Sequence, residues 1–144
     1  MKTATLYELR KNQTDFPKTK IINSFTSTEF IRQFYSDDIE IYESFFLLLL
    51  NNQNQTLGYA KISQGGITGT VVDVRIVAKY VVDSLATGII LAHNHPSGNL
   101  TPSSQDIDIT KKIKEAMKLF DVTVLDHIIL TVDNFYSFAD NGII

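Results

Sequence analysis

Residues 93–106 read HNHPSGNLTPSSQD and follow directly on the apolar run GIILA. Two of the chain's three histidines fall here, one residue apart. At a strand end, positions i and i+2 point to the same side. His93 and His95 can therefore share one metal ion, at about 2.0–2.1 Å from each nitrogen, with Asn94 between them turned away. An H-x-H pair by itself is also a plain polar strand end. Asp106 adds a third candidate ligand. The stretch TPSSQD reads as a helix opening, with Thr101 as N-cap and Pro102 at the first helical position, where its missing N–H costs nothing. Ser103 and Asp106 then stand three residues apart on one helical face. If that face looks at the strand end, Asp106 brings an anionic ligand and Ser103 a hydroxyl. The alternative is that S-x-x-D only starts the helix, an acid in the first turn being favoured by the helix dipole.

The elements that must position these residues are legible in the periodicity. TATLYEL (3–9) alternates like a strand, and a polar stretch with Pro17 follows. SFTSTEFIRQFYSDD (24–38) has the pattern of a short amphipathic helix, with Thr26, Ser27 or Thr28 as caps. IEIYESFFLLLL (39–50) reads as a strand whose second half is too apolar for a wet face, so it belongs inside a sheet. NNQNQ is a turn and TLGYAKISQ (56–64) its hairpin partner. GGITG bends the chain before a helix at about 73–87, and GIILA (88–92) is a second fully apolar strand. Helical spacing returns from Ser103 to Phe120, followed by strands at 122–132 and 134–139. Strands and helices interleave, with hairpins at both ends. The expectation is one α/β domain over 1–144, a single mixed β-sheet with packed helices, in which 1–38 lead into a core at 39–144.

Composition narrows the function classes. The 144 residues are 44% apolar and 20% charged, as in an ordinary globular domain. FFLLLL is far shorter than the roughly 20 residues of a membrane helix, and the polar start MKTATLYELRKNQ has no signal-peptide core. No membrane association is expected. With no cysteine there is no disulfide, thiolate nucleophile or cysteine zinc site, and a cytoplasmic protein is the default reading. A net charge of −3 argues against a domain whose main task is gripping phosphates. Lys111, Lys112, Lys114 and Lys118 form either a local basic patch or a solvated helix face. Literal HNH at 93–95 is a nuclease motif only as text. Zinc nucleobase deaminases need H-x-E with P-C-x-x-C, and no phosphate loop, nucleophile elbow or dinucleotide fingerprint is present.

The full spacing, H-x-H, seven residues, Ser, two residues, Asp, is similar to the metal-binding signature of the JAMM metalloproteases, also called the JAB or MPN-plus domain. The longer string HNHPSG…TPS..D…T resembles the form this signature takes in the RadC family of bacterial proteins. LDHIIL (125–130) and FYSFADNGII (135–144) resemble that family's closing segments, and the likeness runs from about Tyr42 to the C-terminus. It implies the JAB/MPN (cytidine deaminase-like) architecture and one zinc ion, Zn2+, held by His93, His95 and Asp106. It also supplies Glu43: the family's strand opens E-x-F, followed by large apolar residues and Asp or Asn, and here that is ESFFLLLLN. Glu40 is the rival but has no Phe two residues on; a solvated strand-start acid is the plainer reading of either.

Three protein ligands leave a tetrahedral zinc one position for water, whose pKa the metal lowers toward about 7. The resemblance implies that Glu43 takes the proton from that water and passes it to the leaving amine. Ser103 then donates to the tetrahedral oxyanion, a role worth about 3–4 kcal/mol elsewhere. The implied activity is hydrolysis of amide or isopeptide bonds in a peptide or isopeptide substrate. Pro96 and Gly98 shape the loop, Gly98 by a positive φ. His127 is either a core residue or a partner to a ligand. Arg75 matches the family's P-R-E segment, which here reads V-R-I. The family's name carries an association with DNA repair, and fuller members have a helix-hairpin-helix segment that the residues before Glu43 do not resemble. A nucleic-acid-associated or non-catalytic module is thus the competing class. The last strand and C-terminal GII offer an edge for a second copy.

Overall fold

The run Phe45–Leu50 has no polar side chain with which to face water, and the fold gives it none to face. In a computed structural model, which describes residues 1–8, 10–66 and 70–144, it forms β1 (Ser44–Leu50), buried throughout. The other strands are β2 (Thr56–Gln64), β3 (Gly88–Asn94), β4 (Thr123–Leu130) and β5 (Phe135–Ser137). The helices are α1 (Ser24–Arg32), α2 (Val74–Ser84) and α3 (Ser104–Lys118). The sheet order is β2-β1-β3-β4-β5. β3 and β4 run parallel and the other neighbours antiparallel, so the chain is α/β with a mixed sheet, as expected.

Strand alternation sorts the apolar side chains into two layers. Phe45, Leu47, Ile89 and Leu91 pack against α2 and α3 through Val77, Val81, Ile113 and Met117. Leu48, Leu50, Ile90 and Ala92 pack on the other face against Phe30 and Ile31 of α1. Each such aliphatic side chain gains about 1.5–3 kcal/mol from leaving water. His93 continues the row of Ile89 and Leu91 and so faces the α3 side, while Asn94 faces α1.

β4 breaks the alternation once. Ile89 pairs with Val124 but Ile90 pairs with Asp126, so Leu125 is an extra residue in the ladder. A bulge of this kind exchanges the two faces of everything beyond it. Val124 belongs to the α2/α3 layer, whereas Ile128 and Leu130 belong to the α1 layer. His127, paired with Leu91, is thereby turned to the α3 side. Gly88 makes room for the bulge: a Cβ there would lie 3.2 Å from Leu125 Cδ1.

Several expected boundaries move. Residues 3–8 form no strand, because no ladder partner lies beside them and Leu6 and Tyr7 stay exposed; Leu9 lies outside the described residues. α1 is capped by Asn23, whose side chain accepts from the Thr26 N–H, rather than by Thr26, Ser27 or Thr28. It stops at Arg32, and Asp37–Glu40 form a separate 3-10 turn. Strand β1 begins at Ser44 rather than at 39, since Asn94 draws the carbonyls of Ile39 and Tyr42 away from any ladder. The GGITG bend falls largely on residues 67–69, outside those described. β5 is an edge strand, but the terminal GII does not extend it; Ile144 packs instead on the α2/α3 layer. No helix among the described residues is long and apolar enough to cross a membrane.

Candidate metal centre

The strand end delivers two imidazoles and α3 delivers a carboxylate. His93 is buried at the end of β3, and its Nε2 lies 3.0 Å from Nε2 of His95. Asp106 reaches both rings, Oδ1 at 3.2 Å from His93 Nε2 and Oδ2 at 3.2 Å from His95 Nε2. For bonds of about 2.0–2.1 Å, neighbouring ligand atoms on a tetrahedral zinc stand roughly 3.3 Å apart. The three side chains therefore already have the spacing of ligands to one ion. Glu43, just ahead of β1, forms with His93 and His95 a group that could hold a metal ion, its ligand atoms all within 4.8 Å of one another. Glu40, by contrast, is exposed on the 3-10 turn.

α3 starts two residues later than its sequence suggests. Its N-cap is Ser103 rather than Thr101, so Pro102 precedes the cap instead of opening the helix. Ser103 prevails because its bond with Asp106 is reciprocal. The Ser103 Oγ accepts from the Asp106 N–H at 3.0 Å, and Asp106 Oδ2 accepts from the Ser103 N–H at 2.8 Å. Such a capping box satisfies two otherwise orphaned donors. It also leaves the Ser103 hydroxyl proton free to donate, since the capping bond uses only an oxygen lone pair.

Electrostatics favour a cation among these groups. Burial opposes ionisation of Asp106, but its contacts with His93 and His95 hold it well below the usual carboxylate range. Burial likewise opposes charge on His95; the Asp106 carboxylate and the Asn99 carbonyl outweigh it and raise its pKa above the ordinary value. His95 Nδ1 donates to the Asn99 carbonyl at 2.6 Å, an atom that can only accept, so in the neutral ring Nε2 carries the lone pair. A bare nitrogen facing a carboxylate at 3.2 Å calls for a positive ion between them, a proton or a metal. Two nitrogens and carboxylate oxygen are a donor set that suits zinc.

Neighbouring residues hold this arrangement. Asn94 is fully buried on the α1 side. It accepts from the Ser44 N–H at 2.8 Å and donates to the carbonyls of Ile39 and Tyr42 at 2.6 and 2.7 Å, pinning the segment that carries Glu43. The Glu43 main-chain carbonyl also accepts from the Gly65 N–H at 2.9 Å, and the side-chain charge adds to the effect of burial in raising the Tyr35 pKa. Gly98 has φ +84°, the left-handed turn expected of the loop. His127 is fully buried and touches His93, Nε2 to Nδ1 at 2.7 Å; burial, and then His93, hold its pKa well below the ordinary value. Its other nitrogen lies 2.6 Å from Thr110 Oγ1. Thr110 closes the family string HNHPSG…TPS..D…T, which gave it no role; its place four residues after Asp106 puts it on the same helical face. Arg75 is elsewhere: it pairs with Asp73 at 2.9 Å, its side chain 90% exposed at the start of α2.

The centre opens into a cavity of about 500 Å³, walled by Phe45, Val72, Pro96 and Ile109 and floored by Glu43, His93, His95, Ser103 and Asp106. Comparison with known proteins places the chain among relatives. The family described as RadC-like JAB domain matches residues 23–143. A UPF0758 protein of Flavobacterium johnsoniae is 47% identical over 134 residues, 93% of this chain and 58% of its own length. One from Porphyromonas gingivalis is 41% identical over 71% of this chain and 45% of its own length. UPF0758 protein YfjY of Escherichia coli is 42% identical over 71% of this chain and 64% of its own length. The chain thus spans about half the length of several curated relatives it matches. With 121 consecutive residues covered by the family and the histidine–aspartate centre in place, the chain belongs to the RadC-like JAB domain family.

Proposed function

We propose that this chain is a zinc-dependent hydrolase of amide or isopeptide bonds. The observation that carries the reading is the convergence of His93, His95 and Asp106 at ligand spacing, with Glu43 beside the histidines in a cavity open to substrate. His93, His95 and Asp106 would hold the ion; the Asp106 oxygens touch both rings, which favours it over Glu43 as the third ligand. A bound zinc ion supplies Lewis acidity, polarising a carbonyl and acidifying water. Glu43 removes the proton from the attacking water and returns it to the departing amine. The free Ser103 O–H donates to the oxyanion of the tetrahedral intermediate. Phe45, Val72 and Ile109 supply apolar contact area beside these polar groups.

The test is metal analysis by mass spectrometry on untagged protein, paired with a screen of peptide and isopeptide substrates. About one zinc per chain is expected in the wild type and none in His95→Ala or Asp106→Ala. Glu43→Gln should keep the metal and lose hydrolysis by about 100-fold or more. Loss of metal in Glu43→Gln would make Glu43 a ligand and overturn its assignment as base. A folded wild type that takes up no zinc would end the hydrolase reading.

A further inference from the structure

Behind the centre lies a chain of buried hydrogen-bonding groups that the proposed chemistry does not use. Thr110 Oγ1 is 2.6 Å from the Asp106 carbonyl oxygen and 2.6 Å from His127 Nδ1. His127 Nε2 is 2.7 Å from His93 Nδ1. His93 Nε2 in turn faces the Asp106 carboxylate at 3.2 Å. Thr110 and His127 are 3% and 0% exposed, and the rings of Phe45 and Phe138 lie against His127. The Thr110–His127 and His127–His93 contacts are thereby shut away from bulk water.

The protons along this chain can be placed by elimination. A carbonyl oxygen only accepts, so the contact between Thr110 Oγ1 and the Asp106 carbonyl takes the one hydroxyl proton. Thr110 Oγ1 then has only lone pairs for His127 Nδ1, which must carry a hydrogen. A neutral His127 with its proton on Nδ1 has a bare Nε2. His93 Nδ1 must therefore donate to it, and the remaining nitrogen of a neutral His93, Nε2, is left without a proton. The opposite assignment would set two lone pairs face to face at 2.6 Å or 2.7 Å, each in a buried, low-dielectric site.

We propose that Thr110 and His127 are positioning residues that set the tautomer of His93, so that its Nε2 lone pair is presented to the metal. His95 needs no such device, because the Asn99 carbonyl fixes its tautomer directly. His93 has another histidine behind it, which alone would allow either proton placement; Thr110 removes the ambiguity by drawing on the backbone of the same residue whose carboxylate completes the centre. The consequence for metal affinity rests on the hydrolase reading, whereas the tautomers themselves do not.

The experiment is long-range 1H–15N correlation NMR on the metal-free protein at mildly alkaline pH, which reads the protonated nitrogen of each imidazole, followed by titration with Zn2+ alone. Wild type and Thr110→Ser should show His93 and His127 both protonated on Nδ1. Thr110→Val, nearly isosteric but without the hydroxyl, should release both rings toward the other tautomer and weaken zinc binding about 10- to 100-fold. Thr110→Ser should retain wild-type affinity, which separates the hydroxyl from packing. His93 protonated on Nε2 in the wild type would overturn the relay, and that spectrum decides even where Thr110→Val fails to fold. Folded Thr110→Val with unchanged tautomers and unchanged affinity would overturn it too. The expected tautomers in a wild type that binds no zinc would support the relay and count against the hydrolase reading alone.

Discussion

At the scale of single residues, side chains without a chemical role decide where the chemical ones stand. Asn94 sits between the two histidines and faces the opposite way, and its three bonds hold Ser44, Ile39 and Tyr42. Removing them leaves buried backbone groups unpaired, each costing about 1–3 kcal/mol where water cannot replace the partner. Asn94→Ala is therefore expected to lower unfolding stability by about 2–4 kcal/mol. The measure is a shift of the urea midpoint at constant slope. An unchanged midpoint would show that the Glu43 segment is held by other contacts. The histidine pair and Asp106 were legible from spacing because their geometry is local, i to i+2 on a strand and i to i+3 on a helix. Glu43 was not, since fifty residues separate it from His93 and only the family resemblance joined them.

At the scale of elements, α3 is tied to the centre by its own first turn. Asp106 Oδ2 both accepts from the Ser103 N–H and touches His95, so one oxygen starts the helix and faces the histidine. Ser103→Ala is expected to destabilise the protein by about 1 kcal/mol through loss of the cap, with Ser103→Thr close to wild type. Thermal or denaturant unfolding checks this; an alanine variant as stable as the wild type would mean the helix start is held without Ser103. Thr101 and Ser103 are both good caps by type, and Pro102 suits the first helical position, so composition favoured the earlier start. Reciprocal bonding with Asp106 reversed that preference. β2 was read from 56 to 64 and is found there, because alternation and the NNQNQ turn agree. The start of β1 was misplaced because the competitor, the Asn94 side chain, lies on another strand.

At the scale of the whole molecule, the closing hairpin is locked by a buried acid. Asp126 accepts from the N–H groups of His127 and Ala139 and from the Ser137 hydroxyl. Burial nonetheless raises its pKa above the ordinary 3.8, and Asp140 adds to the rise. A carboxyl whose folded pKa is raised favours the folded state while protonated, so its contribution is full below the unfolded value and is lost as pH rises through the folded one. Asp126→Asn keeps an oxygen for the two backbone donors and does not ionise. The stability of the variant relative to wild type should therefore improve as pH climbs above 3.8. Denaturant midpoints across acid to neutral pH test this; a difference independent of pH, or one that shrinks with rising pH, would refute it. The mixed α/β sheet itself was legible because the fully apolar runs FFLLLL and GIILA have no place except inside a sheet covered on both faces.

The extra residue at Leu125 works like a frameshift. Upstream of it, even-numbered positions of β4 speak to the helices α2 and α3; downstream, odd-numbered ones do. A relative whose β4 lacked that residue would spell the same H-x-H…S-x-x-D text and the same LDHIIL letters less one. Its ladder would still set the residues matching Asp126 and His127 opposite Ile90 and Leu91, with the imidazole kept behind the first histidine. Sequence comparison within the family should treat a gap at this position as a lost bulge, with the wiring beyond it unchanged.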